Sequence, residues 1–332
     1  MAITWELRDY DREFFAKELD SFVPRRVFDA HAHLYRLEHW GYPHIVKAGP
    51  ACVDLATFRK QIDWVMPGRE VNGLFFGVGF HKDFMQCNEF MAQEIRPDSG
   101  SYCQMVVAPD LDAEQMRETA KRMGFRGLKV YHTFVAKKPT WNAEIPQYLS
   151  EAHVRVAHEE GWTITLHMVK DRAMADAGNQ HWIRYYCERY PGIKLILAHA
   201  ARGFNGYHTV EGIGSLRGLR NVWCDMSAVT ESAGMEAIID VLGADRLLWG
   251  SDYPISHMRG RCVAVGDHFL WLYEDTLDWK AAIPQTEVRL PLIGHESLRA
   301  LKHACTRMRL ADSQVEGIFY GNAMGMIEGT AR

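Results

Sequence analysis

The sequence predicts a (β/α)8 barrel, and three observations carry that expectation. It holds eight short apolar or β-branched runs, helix-forming segments lie between them, and no GxGxxG turn follows an early strand. Strands that alternate with helices pair in parallel, because a parallel neighbour is reached by a crossover and the crossover is usually a helix. A doubly wound sheet is the alternative, but it usually holds fewer strands.

The runs, in order, are RVFDAHAHL (26–34), GLFFGVGF (73–80), SYCQMVVAP (101–109), FRGLKVYH (125–132), WTITLHM (162–168), KLILAHA (194–200), NVWCDMS (221–227) and RLLWGSDYP (246–254). Each has the length and composition of a strand. Helical spacing marks 112–124, 144–161, 180–192 and 235–246, and several of these segments end on the glycine or proline expected just past a helix C-terminus. Two connections are long, 35–72 after the first strand and 255–296 after the eighth, and both are rich in Trp, Tyr, His and Gly. Long loops of that kind are more often functional than idle. A last helical stretch from about Ser297 closes the barrel. The expectation is therefore one domain over 1–332, with barrel strands in about 26–254 and an insertion plus closing helices in 255–332.

Composition narrows the classes. The 332 residues are 47% hydrophobic and 24% charged with net charge −4, ordinary for a globular protein, and without a basic block there is no footprint for nucleic acid. The first twenty residues carry charges throughout, and no stretch reaches the roughly 18 apolar residues of a membrane span. A cytoplasmic location is expected. Seven cysteines, Cys52, Cys87, Cys103, Cys187, Cys224, Cys262 and Cys305, are scattered and never form a CxxC pair, which argues against a disulfide framework and a thiolate zinc site.

The chemistry sits at the strand ends. In a strand, residues i and i+2 share a face roughly 6.6 Å apart, so Asp29, His31 and His33 are expected to point the same way. Outward they would lie unpaired beneath the helices, whereas inward they reach the rim where barrel active sites are built. His167 ends the fifth run, His199 the sixth and Asp252 the eighth, at the same stage of each strand. Four histidines and a carboxylate thus converge, a donor set suited to zinc, manganese or iron(II).

Through FDAHAH, TLHM, LAHA, WGSDYP and IFYGNAMGMI the chain resembles the amidohydrolase superfamily, in its amidohydrolase 2 branch, over nearly its whole length. The resemblance implies His31, His33, His167 and Asp252 as ligands of one divalent metal ion, zinc first and manganese second, and His199 as acid/base. It further implies that Asp252 takes the proton of a metal-acidified water while His199 stabilises the oxyanion or protonates the leaving group. The activity implied is hydrolysis of a lactone, ester or amide in a small carboxylated molecule. The alternative is nonoxidative decarboxylation, or a related lyase or isomerase reaction, of a small aromatic or unsaturated acid. His31 stands where some decarboxylases of the branch carry glutamate, which favours hydrolysis. A non-catalytic binding barrel ranks last, since every ligand position is present. An assembly of identical chains is expected from the resemblance alone.

Lys129 lies on the fourth strand, where some members of the superfamily carry a carboxylated lysine between two metals. In a one-metal site it would instead be an inward cation for an acidic substrate, sharing its face with Tyr131 and not with His132. Arg202 would fork onto a substrate carboxylate. Trp40, Tyr42 and His44 would cover the site or pack the first loop, and Arg259 and Arg261 would reach the pocket or form an exposed pair. His181, His208 and His257 are expected in solvent or capping loops.

Overall fold

The computed structural model describes residues 4–41, 46–79, 83–95 and 100–329. All eight runs form parallel strands: β1 (Arg26–His33), β2 (Glu70–Phe76), β3 (Tyr102–Cys103 continuing as Met105–Val107), β4 (Gly127–Tyr131), β5 (Thr163–His167), β6 (Lys194–Leu197), β7 (Val222–Asp225) and β8 (Leu247–Leu248). Gln104 interrupts β3 but keeps both neighbours in register, since its N–H donates to Phe75 O at 2.9 Å while Arg126 N–H donates to Cys103 O at 3.0 Å. The ring closes between β8 and β1 through Ala30 N–H to Trp249 O (2.9 Å), Asp252 N–H to His31 O (2.8 Å) and His33 N–H to Tyr253 O (3.1 Å). The fold is a (β/α)8 barrel.

One main helix follows each strand: α1 (Leu55–Ile62), α2 (Phe84–Glu94), α3 (Ala113–Met123), α4 (Glu151–Glu160), α5 (Ala177–Arg189), α6 (Gly206–Gly212), α7 (Ala233–Leu242) and α8 (Ile293–Arg307). Local signals set their ends. Ser150 Oγ caps α4 by accepting His153 N–H, and Pro146 sits in a separate turn, Ile145–Gln147, so the helix is shorter than the 144–161 expected. Gly124 and Gly161 end α3 and α4 at φ +82° and +66°, where L side chains are strained.

Two apolar layers flank the strands. Outward residues such as Val71, Phe75, Leu128, Val130, Ile164, Leu195 and Leu247 pack beneath the helices in the main core. Inward, Phe28, Ala30, Leu74, Ile196, Trp223 and Leu248 form a second cluster, and Ala323, Met326 and Ile327 of the helix Asn322–Glu328 plug it from the N-terminal end of the strands. That plug leaves the opposite rim for chemistry. Of the two long loops, the first starts with a short antiparallel ladder, Tyr35–Arg36 against Cys52–Val53. The second folds into a hairpin, β9 (Gly260–Val265) and β10 (His268–Tyr273), anchored to the β6 side by Asn205 Nδ2 donating to Gly266 O and His268 O. The seven cysteines are free thiols, six of them buried. No helix among the described residues is long and apolar enough to cross a membrane.

Candidate active site

The site begins with an irregularity in β1. Asp29 pairs with Gly73 and Ala32 with Phe75, so three steps along β1 match two along β2. The extra residue breaks the alternation of faces. Phe28 and Ala30 lie in the inner cluster and Ala32 in the outer core, while His31 and His33 turn inward with both ring centroids 4.8 Å from Phe76. The expectation that Asp29 shares their face is therefore corrected: it lies before the bulge, on the side away from Phe28 and Ala30. Its Oδ1 accepts the N–H groups of His31 (3.0 Å) and Ser251 (2.9 Å), bracing the bulge against the end of β8. Burial raises the Asp29 carboxyl to about 7.

His31, His199 and Asp252 each present a ligand atom within 4.8 Å of the other two. His33 meets this trio through Asp252, its Nε2 standing 3.5 Å from Oδ1, the same separation as His31 Nε2. His167 is set further back, touching the trio through the ring of His199 at 5.0 Å between centroids. The five strand-end groups read from the sequence thus share one rim, with His199 rather than His167 nearest the centre.

Three of the rings have a fixed proton. His31 Nδ1 faces Asp225 Oδ2 at 2.9 Å, His33 Nδ1 faces Gly77 O at 3.2 Å and His199 Nδ1 faces Ser227 O at 3.0 Å. Carbonyl and carboxylate oxygens only accept, so each Nδ1 carries the hydrogen and each Nε2 a lone pair. Lone pairs of His31 and His33 then confront a carboxylate oxygen, acceptor against acceptor, an arrangement that a divalent cation satisfies. Burial holds His31, His33 and His167 below the usual imidazole range, as neutral ligands require. The donor set fits a divalent metal.

Lys129 points inward and is fully buried, with Nζ 3.2 Å from His31 Nε2 and 4.1 Å from the centre of the Phe76 ring. Burial lowers its ammonium to about 7, while Asp225 and Asp252 act in the opposite direction. Tyr131 follows on the same face, its hydroxyl donating to Gly77 O at 3.3 Å. His132, expected on the other face, also reaches the rim, with its ring 6.0 Å from that of His167 and 4.7 Å from that of Trp141. The reason is local: β4 stops at Tyr131 and His132 opens the turn His132–Phe134, where strand alternation no longer applies.

Beyond β6 the chain makes a left-handed helical turn. His199, Ala200, Ala201 and Arg202 have φ of +59°, +51°, +59° and +57°, a conformation disfavoured for L-residues. Gly203 N–H donates to His199 O, Thr209 Oγ1 to Ala200 O, and Asp225 Oδ1 accepts His199 N–H. Residues three apart on such a turn share a side, so His199 and Arg202 are presented together. Arg202 is 9% exposed, its guanidinium carbon 5.2 Å from the Trp141 ring and 5.8 Å from the Phe269 ring, and its Nη1 donates to Met168 O at 3.4 Å. Phe269 belongs to the hairpin, which also reaches the site through Phe204, stacked on His199 at 5.1 Å and tilted against Phe269 at 5.1 Å. The second long loop is thus a wall of the site.

Other expected residues lie elsewhere. Trp40 is buried edge-on against Tyr35, which stacks on Tyr253, so its contacts are those of loop packing. Tyr42 and His44 fall outside the described residues. Arg259 neither reaches the pocket nor lies exposed: it is buried in an ion pair with Asp11 of the helix Asp9–Phe14. Arg261 is half-buried and donates to Thr230 O. His181 is exposed as expected, whereas His257 is buried between Trp5 and Gln61 O, and His208 is buried and bonded to Asp267.

Sequence reasoning missed Asp225. Its signal was available, an aspartate ending the seventh apolar run at the stage where His167 and His199 end theirs, but it stands alone without a second polar partner. Sequence also gave no sign of His132, Trp141 and Phe269 as lining groups, because loops carry them to the rim.

Comparison with known proteins agrees with this geometry. L-fucono-1,5-lactonase of Burkholderia ambifaria is 30% identical over a 104-residue alignment that takes in 26% of this chain and 34% of the relative. The chain thus matches about a third of that protein's length. Among solved structures, a zinc-bound amidohydrolase from Burkholderia multivorans superposes with a TM-score of 0.58 at 14% identity, covering 91% of this chain and 99% of that one. The 5-carboxyvanillate decarboxylase of Sphingomonas paucimobilis gives 0.54 at 15% identity, covering 92% and 99%. At such identities the likeness speaks for the fold. The family description "Amidohydrolase" matches residues 28–326, from the strand that carries His31 and His33 to the helix that plugs the barrel. The chain belongs to the amidohydrolase family of enzymes.

Proposed function

We propose that the protein is a metal-dependent hydrolase that opens a C–O or C–N bond in a small carboxylated molecule, a lactone, ester or amide. The observation that carries this reading is the set of locked imidazoles, two of which, His31 and His33, turn their Nε2 lone pairs to Asp252, with a His199 ring nitrogen within 4.8 Å. His31, His33, His167 and Asp252 would hold one divalent ion, zinc first, and the zinc of the Burkholderia multivorans protein supports that choice. Such an ion supplies Lewis acidity, polarising an acyl oxygen and acidifying water.

The remaining steps belong to this chain's residues. Asp252 would accept the proton of an attacking water. His199 has Nε2 free for a leaving group, while its Nδ1–H is backed by Ser227, whose hydroxyl donates to Asp225. An imidazole backed by a hydroxyl and a carboxylate can gain and return a proton without leaving its place. Arg202, buried between two rings and without an ion pair among the described residues, would bind the substrate carboxylate. The lactonase named above supports a lactone as the first substrate class to assay.

The test is metal content by elemental analysis together with ring-opening assays on carboxylated lactones. About one equivalent of metal, lost in His31→Ala and kept in His199→Ala with turnover gone, is the expected result. A His199→Ala protein that loses its metal as His31→Ala does would make His199 a ligand and overturn its role as acid/base. The second reading, nonoxidative decarboxylation, is favoured by the same buried Arg202, which calls for an acid. Release of CO2 from an aromatic acid without ring opening would select it.

A further inference from the structure

One carboxylate organises both halves of the site. Asp225, fully buried at the end of β7, receives four hydrogen bonds. Oδ2 accepts His31 Nδ1–H at 2.9 Å, and Oδ1 accepts His199 N–H at 3.1 Å, Ser227 N–H at 3.1 Å and the Ser227 hydroxyl. Every group that Asp225 meets is a donor, so only an acceptor at both oxygens satisfies the arrangement. On the far side of the same ring, Lys129 Nζ is 3.2 Å from His31 Nε2, where an ammonium donates to the lone pair that Nδ1–H leaves there.

We infer that Asp225 is a positioning residue that fixes the tautomer of His31, keeping its Nε2 lone pair aimed at the metal position, and at the same time pins the start of the left-handed turn that presents His199. The inference rests on the metal reading above.

An amide in place of the carboxylate makes the point sharp. Asn has one acceptor oxygen and one NH2 group. With its oxygen kept on the side of the three donors from His199 and Ser227, the NH2 faces His31 Nδ1. That nitrogen must then give up its hydrogen to become an acceptor, and the proton moves to Nε2, where it blocks the metal. With the amide turned the other way, the NH2 opposes two backbone N–H groups and a hydroxyl, and the turn carrying His199 loses its anchor. Either way the substitution is isosteric and its effect is electronic.

The experiment has two arms. The 15N chemical shifts of the His31 ring in the metal-free wild-type protein report the tautomer directly. Nδ1–H is expected, and Nε2–H overturns the inference. Competition with a chromophoric chelator then gives zinc affinity for wild type, Asp225→Asn and Ser227→Ala. Loss of an outer-shell partner of a ligating histidine costs about 10–100-fold in affinity. A loss in that range is expected for Asp225→Asn, with the His31 proton on Nε2. Ser227→Ala keeps the bond from Asp225 to His31 and should lose less than the roughly 10-fold lower end of that range. Equal affinities of Asp225→Asn and wild type overturn the inference while leaving the metal site standing. A wild-type protein that binds no zinc overturns the metal reading instead, and the ring shifts, measured without metal, still decide the tautomer. Should Asp225→Asn fail to fold, the wild-type shifts alone decide it.

Discussion

Ala201 sits in the middle of the left-handed turn, with φ +59° and ψ +45°, and its side chain is fully buried. Replacing it by glycine removes the clash of Cβ with the following carbonyl, about 1–2 kcal/mol for an L-residue in this region. Against that stand a buried methyl, about 0.8 kcal/mol, and the greater freedom of glycine in the unfolded chain, about 0.4–1 kcal/mol. The two sides nearly cancel, so Ala201→Gly should lie within about 1 kcal/mol of wild type. Ala157 is the control, equally buried but in the right-handed helix α4. There the same change loses the methyl and about 1 kcal/mol of helix propensity, a cost near 2 kcal/mol with nothing gained in return. Equilibrium urea unfolding of wild type, Ala201→Gly and Ala157→Gly measures the gap between the two sites. An Ala201→Gly protein destabilised as much as Ala157→Gly would refute the left-handed turn, and with it the joint presentation of His199 and Arg202.

Three further outcomes concern buried charges. Arg202→Met keeps the length of the side chain but not the fork, and should raise KM for a carboxylated substrate so that kcat/KM falls about 10–100-fold, the worth of a charged hydrogen bond; steady-state kinetics with the acid and its methyl ester would show an effect on the acid only. Asp11→Asn strands the buried Arg259 and should cost about 3–5 kcal/mol in urea unfolding. Asp11 illustrates the sign of its pH dependence as well. Burial alone would raise its carboxyl, but the bonds from Arg259 and the Arg8 N–H bring it below the usual range. Its contribution is therefore complete above about pH 4 and is lost as the pH falls through the lower folded value. The acid limb of the stability curve should accordingly be shallower in Asp11→Asn than in wild type.

Much of this protein is determined by local sequence. The apolar runs, the helix spacings and the glycines at helix ends are nearest-neighbour properties, so eight strands, the helices after the third, fourth, fifth and seventh of them and the closing helical stretch could be read directly, as could the strand-end positions of His31, His33, His167, His199 and Asp252. What sequence left open depends on which chain segments meet. The bulge in β1 that separates Asp29 from His31 exists only as a mismatch with β2. Asp225 becomes an anchor only because β7 lies between the strands that bring His199 and Asp252, so that its carboxylate reaches His31 of β1 past the intervening β8. Arg259 appeared free to serve the pocket until the N-terminal helix supplied Asp11. Strand alternation placed Lys129 and Tyr131 correctly and misplaced His132, since it holds only while the backbone stays extended. The tautomers, the left-handed turn and the aromatic wall from the hairpin are tertiary facts, each set by a partner far away in the chain, because a hydrogen bond or a stacked ring is fixed by distance in space and not by separation along the sequence.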